Sequence, residues 1–256
     1  MNDQTMSAVP LMQASGLTRR FGGLVAVDGV SIDLHRGQVH AVIGTNGAGK
    51  STLINLLSGE IPLSSGEIRL GGQDITRLPQ PRRARSGVGR SYQRTTIFPA
   101  LSVLENCRLA AQAANQKPWR LWQGAQSCRA SLDAAHGALD AAGLSDAVHL
   151  TAGSMSHGKK RQLEIAMCLA TSPQVLLLDE PLAGMGAEES ERMLAMLERL
   201  RQDHAILLVE HDMDAVFRVA DRITVMVNGA VIASGSPELV RSSPEVQRAY
   251  LGEGHP

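Results

Sequence analysis

Residues 44–51 read GTNGAGKS, and no other stretch narrows the chain's possible folds so sharply. The segment fits G-x-x-x-x-G-K-[ST]. It follows the apolar run Val39-His40-Ala41-Val42-Ile43 and precedes a helical pattern from Ser51 to Ser58. Strand, glycine loop and helix in that order make a device for holding phosphate. The loop residues Gly44, Thr45, Asn46, Gly47, Ala48 and Gly49 let successive backbone N–H groups converge on phosphate oxygens. The helix start behind them adds about half a positive charge. Lys50 is placed to reach the β- and γ-phosphates of a nucleotide, and Ser51 to give its hydroxyl to Mg²⁺. Kinases, GTPases, motors and transport ATPases all use such a loop. The chain carries no NKxD motif, which argues against guanine recognition.

Hydrolysis also needs a second metal ligand and a base. Val175 to Leu178 is apolar and strand-like, and it ends in Asp179-Glu180. Asp179 at the strand end suits the Mg²⁺ that bridges phosphates. Glu180 suits the task of orienting and deprotonating water, a contribution of about 10²–10⁴-fold. A third apolar strand, Ala205 to Val209, runs into Glu210-His211-Asp212. A histidine just past a strand of an α/β sheet lies where ligands bind, so His211 either contacts the γ-phosphate or positions the water. Gln93, in Ser91-Tyr92-Gln93-Arg94, closes the first α/β segment, and its amide binds either Mg²⁺ or water.

Strands and helices alternate along the chain, which predicts an α/β sheet. Helix Ala187 to Arg201 opens on Glu188 and Glu189, which suit the positive end of its dipole, and puts Met193, Leu197 and Leu200 on one face. ITVMVNGAVIASG is a hairpin pattern around Asn228-Gly229. Between residues 94 and 153 alanine, leucine and glutamine dominate and Trp119 and Trp122 lie close together, the texture of an inserted helical subdomain. Ser236-Pro237-Glu238 and Ser243-Pro244-Glu245 repeat one helix-capping device in the tail.

Lys and Arg number 25, as do Asp and Glu, so nothing predicts electrostatic adhesion to nucleic acid. Cys107, Cys128 and Cys168 are scattered, without a CxxC pair, and predict reduced thiols. The longest apolar run, Ile165 to Ala170, is far short of the about 20 residues a membrane helix needs. MNDQTMSAVP lacks the basic start and apolar core of a signal peptide, so a soluble chain is expected.

SMSHGKKRQLEIA, residues 154–166, admits three readings: a basic surface patch, a metal-ligating turn at His157, or a second phosphate device. His157 has no partner at ligand spacing, which disfavours the metal. Ser156 and Gly158 stand at a helix start whose Leu163, Ala166, Met167 and Ala170 share one face.

Together these pieces resemble the ATP-binding subunits of ABC transporters over nearly the whole chain. Gly44 to Ser51 matches that family's Walker A motif, Gln93 its Q-loop, Val175 to Glu180 its Walker B motif and His211 its switch histidine. Met155-Ser156-His157-Gly158-Lys159 stands where the family carries its LSGGQ signature. GGQDITRLP, RARSGVGRSYQ, LEIAMCLATSP, DEPLAGMGAEES and AYLGE look, more narrowly, like the ATPases of branched-chain (hydrophobic) amino acid importers. The chain departs from the wider pattern at Thr45, at His157 and Lys159 in the signature, and at Gly186 in place of an aspartate.

The resemblance implies an α/β P-loop NTPase (RecA-like) core over 11–93 and 154–235 with an antiparallel β subdomain. It further implies an inserted α-helical subdomain at 94–153 and a helical tail at 236–256, all within one ABC ATPase domain. It extends the ATP-binding set to Phe21, as adenine platform, and to Thr52. Ser51, Gln93 and Asp179 become the Mg²⁺ ligands and Glu180 and His211 the catalytic pair. Ser156, His157, Gly158 and Lys159 become a site that acts in trans, on the nucleotide of a second ATPase subunit packed head to tail. Implied partners are membrane permease subunits and, indirectly, a periplasmic substrate-binding protein, with this chain peripheral on the cytoplasmic face of the inner membrane. Rival expectations are an ATPase of lipid or lipopolysaccharide export, a non-transport DNA-linked ATPase of the same head, and a small-molecule P-loop kinase.

Overall fold

Two antiparallel strands, β1 (Met12–Phe21) and β2 (Leu24–Leu34), begin the first layer. Alternate residues such as Met12 and Ala14 on β1 and Val30, Ile32 and Leu34 on β2 turn inward, as one-sided burial demands. The computed structural model describes residues 9–92, 96–115 and 124–251. After β3 (Val39–Gly44) and α1 (Lys50–Ser58), β4 (Ser65–Leu70) and the short β5 (Gln73–Asp74) complete a sheet ordered β2-β1-β4-β5. This is the antiparallel subdomain expected from the sequence.

Helix α2 (Gln80–Arg85) leads to β6 (Val88–Arg90) and then to the inserted helices α3 (Val103–Asn115) and α4 (Gly124–Ala141). The chain continues through α5 (His157–Leu169), β7 (Val175–Asp179), α6 (Ala187–Leu200), β8 (Ala205–Val209), α7 (Met213–Val219), β9 (Arg222–Val227) and β10 (Ala230–Gly235). The second sheet runs β10-β9-β3-β8-β7-β6 and is parallel from β9 to β6. All residues of β3, β7 and β8 are buried, because helices cover both faces and leave no polar side to alternate. The β9–β10 hairpin turns at Asn228 (φ 48°) and Gly229 (φ 84°), both left-handed, as a two-residue hairpin loop requires. Two capped tail helices follow, α8 (Pro237–Ser242) and α9 (Pro244–Leu251); Ser236 Oγ accepts from Leu239 N and Ser243 Oγ from Val246 N.

Helices α3 and α4 pack against each other and onto α5. Val103, Cys107, Ala111, Ala135 and Leu139 share one apolar cluster with Leu163 and Ala166 of α5 and Leu176 and Leu178 of β7. The inserted helices are thus joined to the sheet through α5. Trp119, Trp122 and Gln93 lie outside the described residues. No helix among the described residues is long and apolar enough to cross a membrane.

One buried histidine braces the sheet. His40 Nδ1 is 3.1 Å from the Asp33 carbonyl, which can only accept, so Nε2 of the neutral ring accepts from the Thr224 hydroxyl at 2.8 Å. Burial, above all, lowers its pKa from 6.5 to about 4. The folded chain therefore resists a proton that the unfolded chain takes up. Stability is full above pH 6.5 and falls as pH drops towards 4, by a total on the order of 3 kcal/mol. Urea midpoints measured from pH 7 to 4.5 should fall more steeply for the natural chain than for a His40→Gln variant. Parallel curves would remove His40 as the source.

Candidate functional site

The glycine loop is shaped by what crowds it. β3 carries Gly44 so close to β9 that a Cβ there would lie 2.3 Å from the Met226 carbonyl oxygen. Gly49 has φ +98°, and its Cβ would lie 2.3 Å from the Ala26 carbonyl oxygen of β2. Ala48 O accepts from Gly229 N at 3.0 Å, so the β9–β10 turn also holds the loop. Both sheets fix this backbone, and only glycine fits at 44 and 49.

Lys50 starts α1, and its Nζ donates to Gly44 O at 2.7 Å and Thr45 O at 3.1 Å. Burial lowers its pKa, while the nearby Glu180 and Asp179 carboxylates oppose that shift. The ammonium thus bridges the loop's first two carbonyls beside two acids. Ser51 is exposed and Thr52 half-buried at the same helix start. The cleft in front of the loop has a volume of about 710 Å³ and is lined by Phe21, residues 24–26, residues 46–52, Glu180 and the turn Asn228-Gly229. Phe21 is 44% exposed, with the Arg19 guanidinium 4.4 Å from its ring centroid. A core phenylalanine would be hidden; this one presents a ring to the cleft.

Asp179 ends β7, 5% exposed, with Arg90 Nη2 3.9 Å away. Burial raises its pKa, with Arg90 the leading opposing influence. A buried carboxylate not directly hydrogen-bonded by that arginine, together with the Ser51 hydroxyl, is a hard-oxygen donor set of the kind Mg²⁺ takes. Glu180 follows with φ 48°, a left-handed backbone that glycine adopts far more readily. Its Oε1 is 3.8 Å from His211 Nδ1. Glu210 is fully buried beside His211: Oε1 accepts from Leu182 N at 2.8 Å and Oε2 from His211 N at 3.2 Å. Burial raises the Glu210 pKa, and these two N–H bonds oppose it.

The signature-like turn sits apart, for no residue of 154–160 lines this cleft. Ser156 caps α5 by accepting from Lys159 N at 3.4 Å. The Ser156 hydroxyl donates to Glu189 Oε1 of α6 at 2.9 Å, and the Glu189 carboxyl lies over Gly158, 2.5 Å from where a Cβ would stand. His157 Nε2 donates to Ala183 O at 3.2 Å, tying the turn to the segment after Glu180. Lys159 is exposed. Leu163, Ile165, Ala166, Leu169 and Ala170 are buried beneath.

The structure therefore brings Phe21, the loop 44–52, Asp179, Glu180 and His211 to one place and leaves Ser156 to Lys159 on another surface. Sequence inspection overlooks Arg161 and Glu210. Arg161 looks like part of the basic run Lys159-Lys160-Arg161, yet it is 5% exposed and ion-paired with Glu164 at 2.8 Å. The R-x-x-E spacing was the available signal. For Glu210 it was a charge directly after an all-apolar strand.

Residues 27–183 match the family described as ABC transporter, and residues 230–256 match one described as branched-chain amino acid ATP-binding cassette transporter. The chain is similar to the high-affinity branched-chain amino acid transport ATP-binding protein BraF of Pseudomonas aeruginosa. The two are 39% identical over 252 residues, covering 95% of this chain and 98% of that one. It is also 39% identical to LivG of Escherichia coli, of the same description, over 255 residues with the same coverage. Among solved structures it resembles an ATP-binding cassette of an ABC transporter in its ADP conformation. The TM-score is 0.85 at 29% identity, over 96% of this chain and all of that one.

Proposed function

This chain belongs to the ABC transporter family as an ATP-binding, ATP-hydrolysing subunit, and we propose that it drives import of branched-chain amino acids or related amides. The observation that carries the ATPase chemistry is a single cleft in which a phosphate loop and a carboxylate, Glu180, face each other. The loop's N–H groups and Lys50 hold the phosphates, and adenine stacks on Phe21. Ser51, Asp179 and Gln93 would hold Mg²⁺, and the ion would supply positive charge to offset that of the nucleotide phosphates. Glu180 accepts the proton of the attacking water, which His211 keeps in line. The 39% identity along the full length of BraF and LivG supports the choice of cargo class.

In this proposal two ATPase subunits close head to tail. Ser156 and the Gly158 amide at the α5 N-terminus receive the γ-phosphate held by the other chain, with His157 and Lys159 at the rim. The partner is a distinct homologue, and both sit on membrane permease subunits at the cytoplasmic face, fed by a periplasmic binding protein. The units are a nucleotide core (11–93 and 154–235), the helical subdomain (94–153) and the tail (236–256). A short permease helix docks in a groove of the helical subdomain.

The assembled transporter in proteoliposomes tests the cargo. Binding protein loaded with leucine should stimulate ATP hydrolysis; stimulation by lipopolysaccharide instead would replace import with lipid export. For the nucleobase platform, Phe21→Ala should weaken ATP binding by about 1–3 kcal/mol, roughly 5- to 150-fold in Kd, as loss of base stacking does. Equilibrium titration with a fluorescent ATP analogue reads this, and an unchanged Kd would return Phe21 to a packing role.

A further inference from the structure

We propose that Arg161 and Glu210 are positioning residues that together clamp the left-handed backbone at Glu180, and so set where its carboxylate meets the attacking water. The inference rests on the proposed role of Glu180 as the base. A left-handed glutamate persists only where its surroundings over-determine it, and here both flanks of the residue are gripped. Arg161 Nη2 donates to the carbonyl oxygens of Asp179 and Glu180, each at 3.1 Å. Its Nη1 is occupied by Glu164 Oε2 at 2.8 Å and by the Tyr92 carbonyl, which fixes the plane of the guanidinium.

From the other side, the Glu210 carboxylate accepts from Leu182 N, two residues beyond Glu180, and from His211 N. One buried anion thus joins the segment leaving Glu180 to the segment bearing His211. His211 Nδ1 lies 3.8 Å from Glu180 Oε1 and 3.8 Å from Glu210 Oε2, so the same anion also stands against the ring of His211. Neither clamp residue lines the cleft, so Arg161 acts through Glu180, and Glu210 through Glu180 and His211, rather than on the nucleotide. A buried charge costs more than an apolar residue of similar volume. Two of them, one on the carbonyls of Asp179 and Glu180 and one on the N–H two residues further on, point to geometry rather than to stability.

The test uses the full chain assembled with its membrane subunits and the variants Glu210→Gln and Arg161→Lys, each made alone and combined with Glu180→Gln. Glu210→Gln keeps the shape but turns one of its two acceptors into a donor facing an N–H. Arg161→Lys keeps the charge but cannot serve all its carbonyls. Each alone should lower turnover about 10- to 100-fold, as displacement of a reacting group by an ångström does, with ATP Kd within about two-fold of the natural chain. Combined with Glu180→Gln, which removes the group being positioned, neither should lower the residual single-turnover rate further, beyond about two-fold.

A purely structural role predicts the reverse: the same loss in both backgrounds, which overturns the clamp. Unaltered turnover in Glu210→Gln also overturns it. Should Arg161→Lys fail to fold, judged by its melting curve, the isosteric Glu210→Gln decides alone. The clamp fails by itself when Glu180→Gln is inactive but the clamp variants behave additively. Full turnover in Glu180→Gln removes the base assignment and the clamp together.

Discussion

Glu180→Gln should abolish almost all ATP turnover, by roughly 10²–10⁴-fold, while leaving ATP binding intact or stronger. The range is that of a positioned general base and corresponds to about 3–5 kcal/mol of barrier. The substitution is nearly isosteric, so the Glu180 N to Val209 O bond and the bonds accepted by its carbonyl survive. What changes is basicity, since an amide oxygen does not take the proton from water. The direction for binding follows from charge. The Glu180 carboxylate is one of the groups that raise the Asp179 pKa, so neutralising it relieves repulsion at the metal ligand and at the phosphates beside it. The assembled variant should therefore bind ATP at least as tightly and accumulate as a closed dimer, seen by light scattering at saturating ATP. Steady-state hydrolysis within two-fold of the natural rate would remove Glu180 as the base.

Why Glu180 could be picked out from sequence while its supports could not is a matter of range. The glycine loop, the Asp179-Glu180 pair and the Asn228-Gly229 turn are local patterns, in which each residue type answers a constraint set by its immediate neighbours. The apolar runs Val175 to Leu178 and Ala205 to Val209 were legible as strands of an α/β sheet for the same reason. Arg161 is different. Its acceptors are 18 and 19 residues away in Asp179 and Glu180 and 69 away in Tyr92, and nothing in the run Lys159-Lys160-Arg161 tells which cation turns inward. Glu189 likewise reads as a dipole partner for its own helix, yet its carboxylate meets Ser156 at the start of another. The inserted helices were legible as helices, but the helix they pack on, α5, lies beyond them in the chain.

Ser156→Arg should leave ATP binding by the isolated chain unchanged and cut turnover of the assembled transporter by roughly 10²-fold or more. The two halves of this expectation rest on different surfaces. The nucleotide cleft takes no lining residue from α5, so a substitution at 156 leaves Phe21, the loop and Glu180 as they were. Locally the change removes the N-cap of α5, a loss of about 1 kcal/mol. For a chain of this size that lowers Tm by only about 2–4 °C. The helix stays anchored by Leu163, Ile165, Ala166 and Leu169, so the protein folds. Across the proposed dimer face the effect is far larger. A hydroxyl that donates to an anion at a helix N-terminus is replaced by a long cation that also pairs with Glu189, the group now 2.9 Å from Ser156 Oγ. That side chain would fill the space where the facing nucleotide's phosphate must enter. Losing one preorganised donor to developing charge costs about 10²–10³-fold in other enzymes, and the wedge adds to that. Side-by-side ATP titration of the isolated chain and hydrolysis by the assembled complex separate the two surfaces. Weakened binding in the isolated chain would place Ser156 at its own nucleotide, and undiminished assembled turnover would remove α5 from the trans site.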